Sequence, residues 1–93
     1  MQIGCGTGLP GLVAALAGCE HVTFSDDARK TDVLETMRRV VALNGISKDS
    51  ASVTGLTWGE FDDTTAQLPP FNLILAADCL YDVSGERTVN IFA

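Results

Sequence analysis

Gly4, Gly6 and Gly8 alternate with Cys5 and Thr7 directly behind the short apolar stub Met1-Gln2-Ile3, and Asp26 follows 20 residues after Gly6. Glycines spaced this way remove side chains where backbone must turn tightly and approach a ligand closely. Gly6-Thr7-Gly8-Leu9-Pro10-Gly11 also satisfies G-x-G-x-x-G, the pattern of a nucleotide-binding turn between strand and helix. A carboxylate at that spacing, at the end of the next strand, can accept both hydroxyls of a ribose. Asp26 or Asp27 can equally cap the helix that follows. Loop and acid together point to an adenosine-containing cofactor. They do not separate a dinucleotide from S-adenosylmethionine, because both offer a ribose and only the dinucleotide lays a pyrophosphate on the helix N-terminus.

Other chemistry-bearing residues lie further along. Trp58 offers an aromatic face, either to a base or to the edge of the core. Asp78 can accept hydrogen bonds from an amine or guanidine, and Tyr81 can give a cation an aromatic face and its nitrogen a hydroxyl. The plainer alternative is that Asp78 ends a strand and Tyr81 packs beneath a loop. Cys5, Cys19 and Cys79 are odd in number and show no C-x-x-C pairing, which reads as reduced thiols in a cytosolic or nuclear protein. Cys5 stands between loop glycines where a small residue suffices, so it is not read as a nucleophile. His21 has no partner at a metal-ligand spacing, and no metal is expected. A net charge of −6 opposes direct nucleic-acid binding and is compatible with a basic protein partner. No apolar run approaches the roughly 20 residues of a membrane span, and no basic, apolar leader precedes the loop.

These residues need strands and helices to position them. The 93 residues, 46% hydrophobic and with a mean hydropathy of +0.22, allow one small globular domain. Strand and helix signals alternate, as in a parallel α/β sheet. Leu9 to Ala17 is apolar on nearly every face, with Pro10 in the first turn and Gly18 past the end. It predicts a buried helix. His21 to Ser25 predicts a strand that stops at Asp26-Asp27. From about Lys30 to Asn44, Val33, Leu34, Met37, Val40 and Val41 recur at helical spacing. Arg38 and Arg39 fall on the other side, and Asn44-Gly45 supplies the stop. Ser52 to Leu56 predicts a weaker strand interrupted by Gly55. After a polar loop ending at Pro69-Pro70, Phe71 to Ala77 predicts a strand covered on both faces.

Four segments occur in order: Gly4-Cys5-Gly6-Thr7-Gly8-Leu9-Pro10-Gly11, Val22-Thr23-Phe24-Ser25-Asp26, Leu56-Thr57-Trp58-Gly59 and Leu73-Ile74-Leu75-Ala76-Ala77-Asp78-Cys79-Leu80-Tyr81. The series closely resembles the seven-strand S-adenosylmethionine-dependent methyltransferases of the protein lysine methyltransferase group. The resemblance covers essentially the whole chain, and Asp78-x-x-Tyr81 is its most specific element. It implies an α/β fold over residues 1–93, a partial Rossmann-like methyltransferase sheet of about four parallel strands with flanking helices. It implies S-adenosyl-L-methionine as cofactor, with Gly4, Cys5 and Gly6 facing it through backbone. Asp26 would hold the ribose, Trp58 the adenine, and Ala77 would line the same pocket. Asp78 and Tyr81 would be the catalytic pair beside the reacting methyl group. The implied substrate is a lysine or arginine side chain of a protein, a basic histone-like one among the candidates, in the cytoplasm or nucleus.

The chain departs from the family pattern in places. Gln2 stands where an acid usually precedes the first glycine, which implies weaker cofactor binding. Asn72 replaces an Asp before the fourth strand, and Thr57 stands where many relatives carry Asp. The stub and the end at Ala93 make the chain read as part of a domain, with Leu73 to Ala77 left as an open edge prone to association. Two rival readings stand beside the methyltransferase: an NAD-type nucleotide-binding domain, and a catalytically inactive fragment or interaction module.

Overall fold

The computed structural model describes residues 1–77. Their element order is α1 (Leu9–Leu16), β1 (Val22–Asp26), α2 (Thr31–Leu43), β2 (Ala51–Gly55) and the short α3 (Asp63–Ala66). β1 and β2 form a two-stranded parallel sheet, in register from Val22 opposite Ala51 to Asp26 opposite Gly55. Helices flank it, and the alternation expected of a parallel α/β protein is present. β1 is buried along its whole length: α1 and α2 pack against it and both its edges are bordered. β2 lies on one side, and on the other Gln2 makes a parallel bridge to Phe24 and a second to Leu75.

α2 owes its place to its apolar stripe. Leu34, Met37 and Val41 are buried, while Arg38 faces out in an exposed pair with Glu35 at 3.5 Å. Phe24 and Met37, both fully buried, meet Cys5, Val22, Val41 and Ala51 in the core. Asn44 and Gly45, at φ 69°, end the helix where the sequence places the stop.

Three expectations need correction. α1 is not buried all round: Leu9, Val13 and Leu16 are 65%, 57% and 66% exposed, and Gly11 is its one buried residue. The helix meets β1 along one side, and its outer stripe meets no comparable surface among the described residues. Phe71 to Ala77 is not a strand covered on both faces. Among the described residues it pairs through a single bridge at Leu75, and Leu73 and Ile74 remain 60% and 58% exposed. Among the described residues its backbone is bound along the edge facing Met1 to Ile3, by Leu75 N–H to the Met1 carbonyl at 2.8 Å and Ile3 N–H to the Leu75 carbonyl at 3.0 Å. Finally, α3 breaks the stretch read as a polar loop. The Asp62 carboxylate caps it by accepting the Thr65 N–H at 2.9 Å.

No helix among the described residues is long and apolar enough to cross a membrane.

Candidate functional site

Chemistry-bearing residues gather where β1 and β2 end and where the glycine loop turns into α1. The loop hangs from the sheet by backbone: Cys5 N–H donates to the Ser25 carbonyl at 2.8 Å, and Gly8 N–H to the Cys5 carbonyl at 2.6 Å. Gly4, Gly6 and Gly8 all adopt positive φ, at 57°, 50° and 75°, and Gly8 is the N-cap of α1. A side chain at Gly6 would enter open space, with no atom within 4 Å of its Cβ position. The loop is therefore bare and open at that point.

Asp26 is bound to this loop. Its Oδ2 accepts the Gly6 N–H at 2.9 Å and its Oδ1 accepts the Asp27 N–H at 2.7 Å. An ionised carboxylate offers about four lone-pair positions, so two remain for a ligand. Asp26 does not cap α2, whose N-cap is Lys30 and has no side-chain cap. Asp27 instead accepts the Arg29 N–H at 3.0 Å and holds the Arg29 guanidinium at 2.7 Å. Burial alone would raise the Asp27 carboxyl. Hydrogen bonds from the Arg29 backbone and guanidinium and from the Thr57 hydroxyl outweigh it and hold it below the usual carboxylate range.

Gln2, set beneath the loop, is 2% exposed, and its Oε1 accepts the Gly11 N–H at 3.1 Å. That N–H is one of the donors a helix start leaves without an intrahelical partner. The neutral amide therefore supplies an acceptor that braces the loop against the sheet.

Cys5 is buried and inert. Burial, then the neighbouring Asp26 charge, push its thiol up to about 11, leaving roughly one thiolate in ten thousand at pH 7. Below pH 9.0 the thiol is neutral both folded and unfolded. Between 9.0 and about 11 only the unfolded chain ionises, so stability should fall across that window and level off above it. The loss expected is about 3 kcal/mol. Melts of the wild type and Cys5→Ala at pH 8 and pH 11 check this, because the variant lacks that share of the alkaline loss. At neutral pH exposed Cys19 should alkylate and Cys5 should not.

Trp58 is half-buried in the loop after β2. It sits at the corner of a turn closed by Glu60 N–H donating to the Thr57 carbonyl at 3.1 Å, with Gly59 at φ 84°. Leu56 N–H donates to the Asp26 carbonyl at 2.7 Å, which ties this loop to the acid. Gly4, Cys5, Gly6, Asp26 and Trp58 thus lie on connected loops at one end of the sheet, and Ala77 is exposed near the end of the Leu75 segment. Asp78 and Tyr81 lie outside the described residues. His21 is exposed and serves locally, its ring nitrogens within 3.0 Å of the Asp49 carbonyl and the Ser52 hydroxyl.

A cavity of about 310 Å³ opens between the loop and α2, lined by Gly6, Thr7, Asp32, Val33, Thr36, Met37 and Val40. Of the residues expected at the site it includes Gly6 alone. The sequence reading missed this wall because Val33, Met37 and Val40 carry the same spacing as the helix's core stripe. It also missed the part that Asp27 plays beside Thr57.

The family model described as lysine methyltransferase matches residues 1–89. The chain is 39% identical over 82 residues to the histone-arginine methyltransferase METTL23 of Xenopus laevis, covering 88% of this chain and 34% of the relative. To the human protein of that name it is 37% identical over 82 residues, covering 88% and 42%. The protein N-lysine methyltransferase METTL21A of Xenopus tropicalis is 36% identical over 84 residues, with 87% and 35% covered. The chain therefore spans from 34% to 42% of the length of these relatives. No solved structure matches it. The glycine loop, the acid bound to it and a family match running from Met1 to residue 89 agree, and the chain belongs to the lysine methyltransferase family.

Proposed function

We propose that this chain carries the cofactor-binding part of an S-adenosylmethionine-dependent protein methyltransferase that modifies lysine or arginine side chains. The observation that carries the reading is the bond between Asp26 Oδ2 and the Gly6 N–H at 2.9 Å, which sets a carboxylate against an open glycine loop. The two parallel bridges of Gln2 support placing Met1 to Ile3 and the Leu75 segment in neighbouring strands of a larger, seven-strand sheet. Relatives named as protein arginine and lysine methyltransferases support a protein substrate. The acidic net charge of −6 suits a basic, histone-like one.

S-adenosylmethionine, when bound, supplies an electrophilic methyl group on a sulfonium. Gly4, Cys5 and Gly6 would face it through backbone, Asp26 would accept the ribose hydroxyls, Trp58 would cover the adenine and Ala77 would line the same pocket. Asp78 would accept a hydrogen bond from the neutral substrate nitrogen and so orient it. Tyr81 gives that nitrogen an aromatic face and a hydroxyl. Holding the two reactants in line is the main contribution asked of these residues.

The test is transfer of labelled methyl groups from S-adenosylmethionine to histones and other basic proteins. Asp78→Ala should cut turnover by about a hundredfold or more while S-adenosylhomocysteine affinity stays within threefold. Parallel loss of both makes Asp78 a cofactor or structural residue, and no transfer by the wild type to any protein overturns the proposed activity.

A further inference from the structure

Thr57 is a short hydroxyl residue buried between two loops, 5% exposed. Its Oγ1 donates to Asp27 Oδ1 at 3.2 Å and accepts the Ala28 N–H at 3.3 Å. Both partners belong to the loop after β1, whereas Thr57 lies in the loop after β2. Arg29 holds the same carboxylate, its Nε donating to that Oδ1 at 3.0 Å and its Nη2 to Oδ2 at 2.7 Å. The end of β2 also presses on the loop after β1, because a Cβ on Gly55 would collide with Ala28. Thr57 is thus the side chain through which one loop grips the other. Asp26 immediately precedes the gripped segment, and Trp58 immediately follows Thr57.

We propose that Thr57 is a positioning residue for the adenosine site: its hydroxyl latches the loop that follows Asp26 to the loop bearing Trp58 and fixes how far apart Asp26 and Trp58 stand. The inference rests on the cofactor reading above, since the latch matters for binding only if Asp26 and Trp58 hold one ligand. The hydroxyl suits the place because it both donates to a carboxylate and accepts from a peptide N–H. Valine has the same shape and can do neither. A carboxylate there would face Asp27 at close range and push the loops apart.

The experiment uses wild type, Thr57→Val, Thr57→Ser and Thr57→Asp. S-adenosylhomocysteine is titrated while emission from Trp58, the chain's one tryptophan, is followed. Hydrogen exchange at Ala28 is measured without cofactor. Thr57→Val should weaken binding five- to tenfold and speed Ala28 exchange about tenfold. Thr57→Ser should stay within twofold of wild type on both, and Thr57→Asp should fall at least as far as Thr57→Val. Should Thr57→Val not fold, the serine and aspartate variants decide. Binding within twofold of wild type in the valine or aspartate variant, or unchanged Ala28 exchange in either, overturns the latch and leaves the cofactor reading standing. No binding by the wild type overturns the cofactor reading, and the positioning role with it.

Discussion

Asp26→Ala should lower the affinity for S-adenosylhomocysteine by about 25-fold or more while the protein still folds. Two charge-assisted hydrogen bonds to ribose hydroxyls would be lost, worth together about 2 kcal/mol or more. A second effect adds to the first. Asp26 Oδ2 is the acceptor of the Gly6 N–H, so its removal also frees the glycine loop. Asp26→Asn keeps a neutral acceptor and should fall between wild type and alanine. A dissociation constant that moves less than twofold in Asp26→Ala, with an unchanged melt, removes Asp26 from the ribose role and leaves it a brace for the loop.

Gly11→Ala should destabilise the fold, against the ordinary rule for helices. By intrinsic propensity, alanine in place of helical glycine gains about 1 kcal/mol. Here Gly11 is buried beneath α1, and a Cβ there would run into the Phe24 ring and the Gln2 Oε1. Phe24 is fully buried, with no room to withdraw, and Gln2 is held by the very bond to the Gly11 N–H that the methyl group would disturb. Overpacking of this kind costs about 1 to 3 kcal/mol, and loss of a buried acceptor adds to it. We expect a net loss near 2 kcal/mol by denaturant unfolding, a balance in which packing wins over propensity. A variant as stable as wild type or more so would mean that α1 does not press on β1 as closely as described. Gly6→Ala is the contrast: its Cβ meets nothing, so the cost comes from φ 50° alone, and cofactor binding should suffer more than stability.

The elements legible in the sequence are those whose signal is local. α2 announces itself by the spacing of Leu34, Met37 and Val41, and β1 by its β-branched and aromatic run ending in acids. The loop and Asp26 were likewise readable together, because tight turning needs glycine and the acid falls at the end of the adjoining strand. Burial was less legible, since it depends on neighbours far along the chain. The uniform apolarity of α1 says that it has surface to bury but not which side finds a partner, and Leu9, Val13 and Leu16 find none among the described residues. Five consecutive apolar residues after Asn72 gave the same impression, yet Leu73 and Ile74 stand exposed beside a single bridge. The Thr57 to Asp27 contact joins residues 30 apart and leaves no periodic trace. Thr57 was visible only as a departure from a family pattern, and its partner was not visible at all. α3 had a local signal, Asp62 three residues before Thr65, hidden in a stretch whose composition reads as loop.

The central claim is that the glycine loop and Asp26 hold S-adenosylmethionine and not a dinucleotide. Separate calorimetric titrations of the protein with S-adenosylhomocysteine and with NAD test it most directly, with Trp58 emission followed in parallel. Saturable one-to-one binding of S-adenosylhomocysteine is predicted, with a change in Trp58 emission, competition by S-adenosylmethionine and no heat from NAD. Saturable binding of NAD with no response to S-adenosylhomocysteine would contradict the account.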